Sequence, residues 1–231
     1  MKGNLTKKIH LGPNTILHPH PVMLVGTYGA DGKPNLMNAA WGGICCSDPP
    51  CVAVSLREAT LTYHNILHSQ AFTVGIPSRK HVEAADYVGI VSGRDHDKFR
   101  DTGLTPLKSE RVHAPLAGEL PFSLECRLFQ HHKLGLHTIF IGEILGILAD
   151  EDVLGLYGLP DIEKTQAILW GGMGNNHYFA VGEKLGQAFS VGKNLKKSLA
   201  GADPVVGGPR FPEGTWGKQK GPKSGVRSPK S

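Results

Sequence analysis

The stretch Pro34-Asn35-Leu36-Met37-Asn38-Ala39-Ala40-Trp41-Gly42-Gly43 combines residue types that could hold a flat, polar-edged ligand. Small side chains let a planar group approach the backbone, and the amides of Asn35 and Asn38 and the indole of Trp41 offer hydrogen bonds at its edge. The same stretch reads equally well as an edge strand with a bulge at Gly42-Gly43. A second feature is Thr60-Leu61-Thr62, where a helix is expected to begin. Free N–H groups at a helix start attract anions; the hydroxyls of Thr60 and Thr62 and the nearby Arg57 could add donors.

Other constellations carry less. His64 and His68 have the i, i+4 spacing of a helical metal pair, but Asn65 stands where a zincin motif places glutamate. These histidines, like His18 and His20, are read as non-ligands, and no metal site is expected. Cys45, Cys46, Cys51 and Cys126 contain no C-x-x-C pair and are read as free, buried thiols, with a redox role for Cys45 and Cys46 conceivable. Gly172-Met173-Gly174-Asn175-Asn176-His177 resembles part of a dinucleotide loop, yet it lacks the final glycine and the strand–helix setting.

These residues need elements to hold them. Asp31-Gly32 between apolar runs predicts a hairpin joining strands at about 22–28 and 35–41. A strand at 51–56 precedes a helix over Leu61–Ser69, and 71–76 forms another strand that Pro77 stops. Helices follow at about 80–91 and 96–101, then strands at 122–129 and 137–149, with last apolar segments at 168–170 and 178–179. Strands in consecutive sets with inserted helices argue for a mainly β protein and against a doubly wound sheet. Closing such strands into a barrel would remove their exposed edges.

In order and spacing, several pieces together resemble the flavin reductase-like, FMN-binding split-barrel family, most closely its flavoredoxin branch. They are Pro19-x-Pro21-Val22, Asn35 and Trp41, Asp48-Pro49-Pro50-Cys51-Val52-Ala53-Val54-Ser55, Thr60 to Ile66, Ser92-Gly93-Arg94-Asp95-His96-Asp97-Lys98-Phe99, and Gly135 to Ile144. The resemblance runs from about Pro19 to Lys193. It implies a split β-barrel that binds FMN, with Thr62 matching the family's threonine, Lys98 its lysine and His137 its histidine. It further implies Asn35 as an edge hydrogen-bonder, Trp41 as a packing wall, and Tyr178 or Phe179 as the aromatic that covers the flavin. Without the resemblance, Lys98 in a polar turn reads as solvated and His137 as a strand-end residue. Leu136 stands where relatives often carry Asp, which removes a possible partner for that histidine.

The implied activity is an oxidoreductase passing electrons from NAD(P)H or a redox protein through FMN to a second acceptor. A flavoredoxin-type carrier with no nicotinamide substrate is the alternative. A homodimer is implied, since some contacts in this family come from a second subunit.

The chain has 231 residues, 40% of them hydrophobic, enough for one sizeable core. Residues 1–203 are expected to form the flavin-binding domain. Residues 204–231 read as a disordered, basic, Gly/Pro-rich tail carrying six Lys or Arg and one Glu. That tail accounts for the whole net charge of +5, so the body is neutral and no nucleic acid is expected as a partner. The first ten residues lack an apolar signal region, and the longest apolar run is interrupted by Glu143, so a cytoplasmic protein with no membrane partner is expected.

Overall fold

The computed structural model describes residues 6–193 and Leu195. The chain divides into two units, Met1–Gly182 and Glu183–Ser231. The described part of the second is a string of turns closed by bonds such as Val191 N–H to the Gln187 carbonyl, 3.0 Å. The 204–231 tail lies outside the described residues.

The first unit is built on one antiparallel sheet. Its strands are β2 (Met23–Tyr28), β3 (Pro34–Ala39), β4 (Gly42–Ser47), β5 (Pro50–Arg57), β6 (Ala71–Ile76), β9 (Phe122–Leu134) and β10 (His137–Ala149). Their spatial order is β3-β2-β6-β9-β10-β5-β4. A small sheet joins β1 (His20–Pro21), β11 (Ile168–Trp170) and β12 (Tyr178–Ala180); β7 (Pro106–Lys108) pairs β8 (Pro115–Ala117). Helices α1 (Leu61–Ser69), α2 (Val82–Ile90), α3 (Lys98–Thr102) and α4 (Ile162–Thr165) are inserted between strands.

Period-two alternation sorts the core into two clusters. From β2, Met23 and Val25 join Val54, Leu56, Ile66, Phe72 and Phe140 in one. Leu24, with Leu36 of β3, packs in the other against Ala85 and Val88 of α2 and Phe99 of α3. The sheet is thus buried on both faces near β2 and β3, with α1 on one side and α2–α3 on the other.

The fold is mainly β with inserted helices, as the sequence implies, but three local readings change. The expected strand over 35–41 ends at Ala39, and a separate strand, β4, starts at Gly42. A Cβ at Gly42 would run into the Ala53 carbonyl, so only glycine lets β4 lie this close to β5. Among the described residues no ladder pairs β3 with β4: Ala40 and Trp41 connect them, the Trp41 carbonyl accepting from the Ser55 N–H at 2.8 Å, so the barrel is split and not closed. Next, β9 runs on to Leu134, because its polar end pairs with the start of β10 in an exposed ribbon. Third, Cys45 and Cys46 are exposed, not buried, because β4 is an edge strand; Cys51 and Cys126 are buried. No helix among the described residues is long and apolar enough to cross a membrane.

Candidate functional site

Helix α1 begins where Thr60 leaves the extended backbone of β5. The Thr60 hydroxyl oxygen accepts from the Tyr63 N–H at 3.4 Å and its proton goes to the Arg57 carbonyl at 2.9 Å. The N–H groups ahead of Tyr63 have no helical carbonyl to bond, so the start of α1 carries a partial positive charge. Thr62, 1% exposed, sits in this first turn. Its oxygen accepts a 2.9 Å bond from the Asn35 amide of β3, leaving the hydroxyl proton to donate elsewhere.

Asn35 is itself buried, and its Oδ1 has no hydrogen-bond partner. Gly93, in the loop after α2, packs against that oxygen so closely that a Cβ there would overlap it. An orphaned buried acceptor costs free energy on the order of 1–3 kcal/mol and is a place where a ligand donor would be favoured.

Lys98 completes this group. Lys98 opens α3, inside the helix expected at about 96–101, and is 5% exposed where the residue alone, without the family resemblance, reads as solvated; Asp97 caps the helix. Its ammonium donates to the Val88 carbonyl at 2.7 Å, and burial draws its pKa down to about 8. Asn35, Thr62 and Lys98 line one cleft of ≈ 200 Å³ with Thr60 and Arg94. The Arg94 guanidinium bonds the Ala59 carbonyl at 2.7 Å, which holds it at the same helix start.

The remaining predicted residues lie in other places. Trp41, in the connection between β3 and β4, lies against His137, the first residue of β10, with ring centroids 4.9 Å apart. Tyr178 lines a second cleft of ≈ 240 Å³ with Asn38, Ala40, Asp86 and Trp170. Gly89 and Ile90 line both clefts, so the two are neighbours along the C-terminal end of α2. The Tyr178 hydroxyl donates to Asp86 at 3.0 Å and accepts from the Asn38 amide at 3.2 Å. Its pKa is pushed up to about 12, first by burial and then by the bond to Asp86 and that carboxylate's charge. Phe179 is 45% exposed and lines neither cleft.

Asp86 and Arg94 join this arrangement although the sequence gives neither a role, and Asn38, one of the amides expected at a ligand edge, lines the Tyr178 cleft. Asn38 stands three residues after Asn35 and its amide also donates to the Ala85 carbonyl at 2.9 Å, a pairing visible only once α2 packs on β3. His64 and His68 are exposed and line a wider cleft of ≈ 770 Å³ with Asn35, Gly93 and Arg94, and no group of three metal-ligating side chains occurs among the described residues.

The model of the flavin reductase-like domain matches residues 16–160. The chain belongs to the flavin reductase-like family. Two solved structures place it on the flavoredoxin branch. It is 49% identical to the flavoredoxin of Desulfovibrio vulgaris (Miyazaki F), with a TM-score of 0.76 over 80% of this chain and 100% of that one. It is 31% identical to flavoredoxin from Methanosarcina acetivorans, with a TM-score of 0.76 over 82% of this chain and 100% of that one. It also matches the high molecular weight rubredoxin of Moorella thermoacetica, 35% identical over 99 residues, 42% of each chain. The family carries a flavin-related redox function, a flavin cofactor and an oxidoreductase role.

Proposed function

We propose that the protein is an FMN-dependent oxidoreductase that takes electrons from NAD(P)H or a redox protein and delivers them to a second acceptor. The observation that carries this reading is the convergence of Asn35, Thr62 and Lys98 on one cleft at the start of α1, with Asn35 Oδ1 buried and unpartnered. The isoalloxazine of bound FMN would supply the redox chemistry.

The chain's own residues suit the mononucleotide. The phosphate is assigned to the cleft with Thr60, Thr62, Arg94 and Lys98, where the helix start and two cations favour a dianion. Lys98 spends one proton on Val88 and keeps two to donate. Asn35 Oδ1 accepts from the ligand, its amide held in place by Thr62. The ring then extends toward the neighbouring cleft and Trp41, with Trp41 as a wall and His137 beside it. Of the two aromatics near the end of the first unit, Tyr178 is the better cover because it lines that cleft and Phe179 does not.

A second reading is a flavoredoxin-type electron carrier that holds FMN tightly and uses no nicotinamide. The 49% identity to a flavoredoxin across that protein's whole length favours it. We further assign the protein to the cytoplasm as a homodimer. The dimer is supported by Phe129, Leu134 and Leu136, large apolar residues exposed along the β9–β10 ribbon.

The absorbance spectrum of the purified protein, followed by identification of the released cofactor, tests the flavin and its form. A protein that stays colourless after reconstitution with FMN, or that releases FAD, overturns the proposal. Steady-state oxidation of NADH and NADPH separates the two readings: turnover supports the oxidoreductase, and a yellow protein without turnover supports the carrier.

A further inference from the structure

Three of the four cysteines lie on the β4–β5 hairpin, and two of them face each other. Cys46 and Cys51 are partners in the antiparallel ladder, one pair before the turn at Asp48-Pro49. Such partners have Cα atoms roughly 4.5–5.5 Å apart, inside the roughly 4.4–6.8 Å that a disulfide spans, and their side chains leave the same face. Their Cβ atoms, typically about 4.5–5.5 Å apart, must approach to about 3.5–4.5 Å for the sulfurs to bond. The hairpin can supply that movement. β4 is an edge strand with a ladder neighbour on one side only, and its pairing is already irregular between Ile44 and Cys46. Ile44, Cys45, Cys46 and Ser47 are all exposed, so no packed layer resists the shift.

The two sulfurs also differ in a useful way. Cys46 is exposed and open to a soluble oxidant, whereas Cys51 is 2% exposed. Burial, the neighbouring Cys45 and Cys46 and the Glu143 carboxylate push the Cys51 thiol up, so Cys51 is the poorer first nucleophile. Cys126 is buried on β9, which β10 separates from β5 in the sheet, and is not a ladder partner of any cysteine.

We propose that Cys46 and Cys51 form a reversible intramolecular disulfide when the protein meets hydrogen peroxide. The Cys46 thiolate attacks one peroxide oxygen, the O–O bond breaks, and the displaced hydroxide leaves as water after taking a proton. The resulting Cys46 sulfenic acid is attacked at sulfur by the Cys51 thiolate. The S–S bond forms, the S–O bond breaks, and hydroxide with the Cys51 proton becomes a second water. Two thiols and one peroxide give one disulfide and two waters, with two electrons passing from the sulfur pair to the peroxide. Exchange with a dithiol restores both thiols. The bond staples the free edge of the sheet one strand-length from Trp41. It requires no flavin and stands whether or not the cofactor reading holds.

The test treats the full-length protein, as purified, with stoichiometric hydrogen peroxide, blocks remaining thiols with iodoacetamide and maps the peptides by mass. The expected result is a Cys46–Cys51 linked peptide, a chain two hydrogens lighter before alkylation, and reversal by dithiothreitol. Cys46→Ser should abolish the link, while Cys45→Ser and Cys126→Ser should retain it. The decisive variant replaces an exposed side chain, so a folding defect at buried Cys51 does not affect the outcome. A link that survives in Cys46→Ser, joins other cysteines or only joins two chains, or oxidation to sulfinic acid without any link, overturns the proposal.

Discussion

Lys98→Met offers a test in which stability and ligand affinity should move in opposite directions. The lysine is 5% exposed and its pKa is drawn from 10.5 to about 8 by burial, with a backbone carbonyl as its hydrogen-bond partner. A depression of this size corresponds to roughly 3 kcal/mol of unfavourable charge burial. Below about pH 8 both the folded and unfolded chains hold the proton, and the cost is fully present. Between about 8 and 10.5 only the unfolded chain holds it, so this residue's contribution to stability rises with pH. Replacing the ammonium by an apolar side chain of similar length removes this cost but orphans the Val88 carbonyl, which costs about 1–3 kcal/mol, so the apo-protein should gain at most about 2 kcal/mol at neutral pH. The gain over the native chain should shrink across that window.

The same change should weaken FMN. Loss of a charge-assisted hydrogen bond to the phosphate costs about 1.5–3 kcal/mol, or about tenfold or more in affinity. In the native chain the affinity should fall as pH rises past about 8, because the lysine must take up a proton to meet the phosphate. In Lys98→Met that step should vanish. Fluorescence-quenching titrations of the apo-proteins across the pH window, with denaturant unfolding of each, measure both halves. Native affinity and an unchanged pH profile in the variant would refute the placement of Lys98 at the phosphate. Lower apo stability at neutral pH would refute the charge-burial argument.

His137→Ala should weaken FMN binding with circular dichroism unchanged, since the ring lies against Trp41 at the partly exposed head of β10; native affinity in fluorescence titration would remove it from the site. Gly93→Ala should lower stability by about 1–3 kcal/mol, because the new Cβ overlaps Asn35 Oδ1 and strains its bond to Thr62; thermal unfolding checks this, and an unchanged midpoint contradicts it. Truncation after Asp203 should leave folding and flavin content intact, because the 204–231 stretch has few core-forming residues; an insoluble or colourless product contradicts the boundary.

Much of the local structure was legible in the chain itself. Asp31-Gly32 marks the β2–β3 turn, with Gly32 at φ +76, because the left-handed conformation it needs is written in one residue type. Thr60 marks the start of α1 in the same way, since a cap is satisfied within three residues. The ordered pieces from Pro19 onward carry the family resemblance and with it Asn35, Thr62 and Lys98. Tertiary structure decided what those residues became. Asn35 meets Thr62 across 27 positions because α1 packs beside β3, and Asn38 meets Tyr178 across 140 because β12 returns to the same strand. Lys98 in a polar stretch became a buried cation when Phe99 anchored α3 in the second core cluster. β4 carries no strand signal in the sequence, because glycines and exposed side chains show no alternation; its strand state comes from pairing with β5. Cys46 and Cys51 likewise became facing thiols through register, and register is set by the sheet as a whole and not by any single residue.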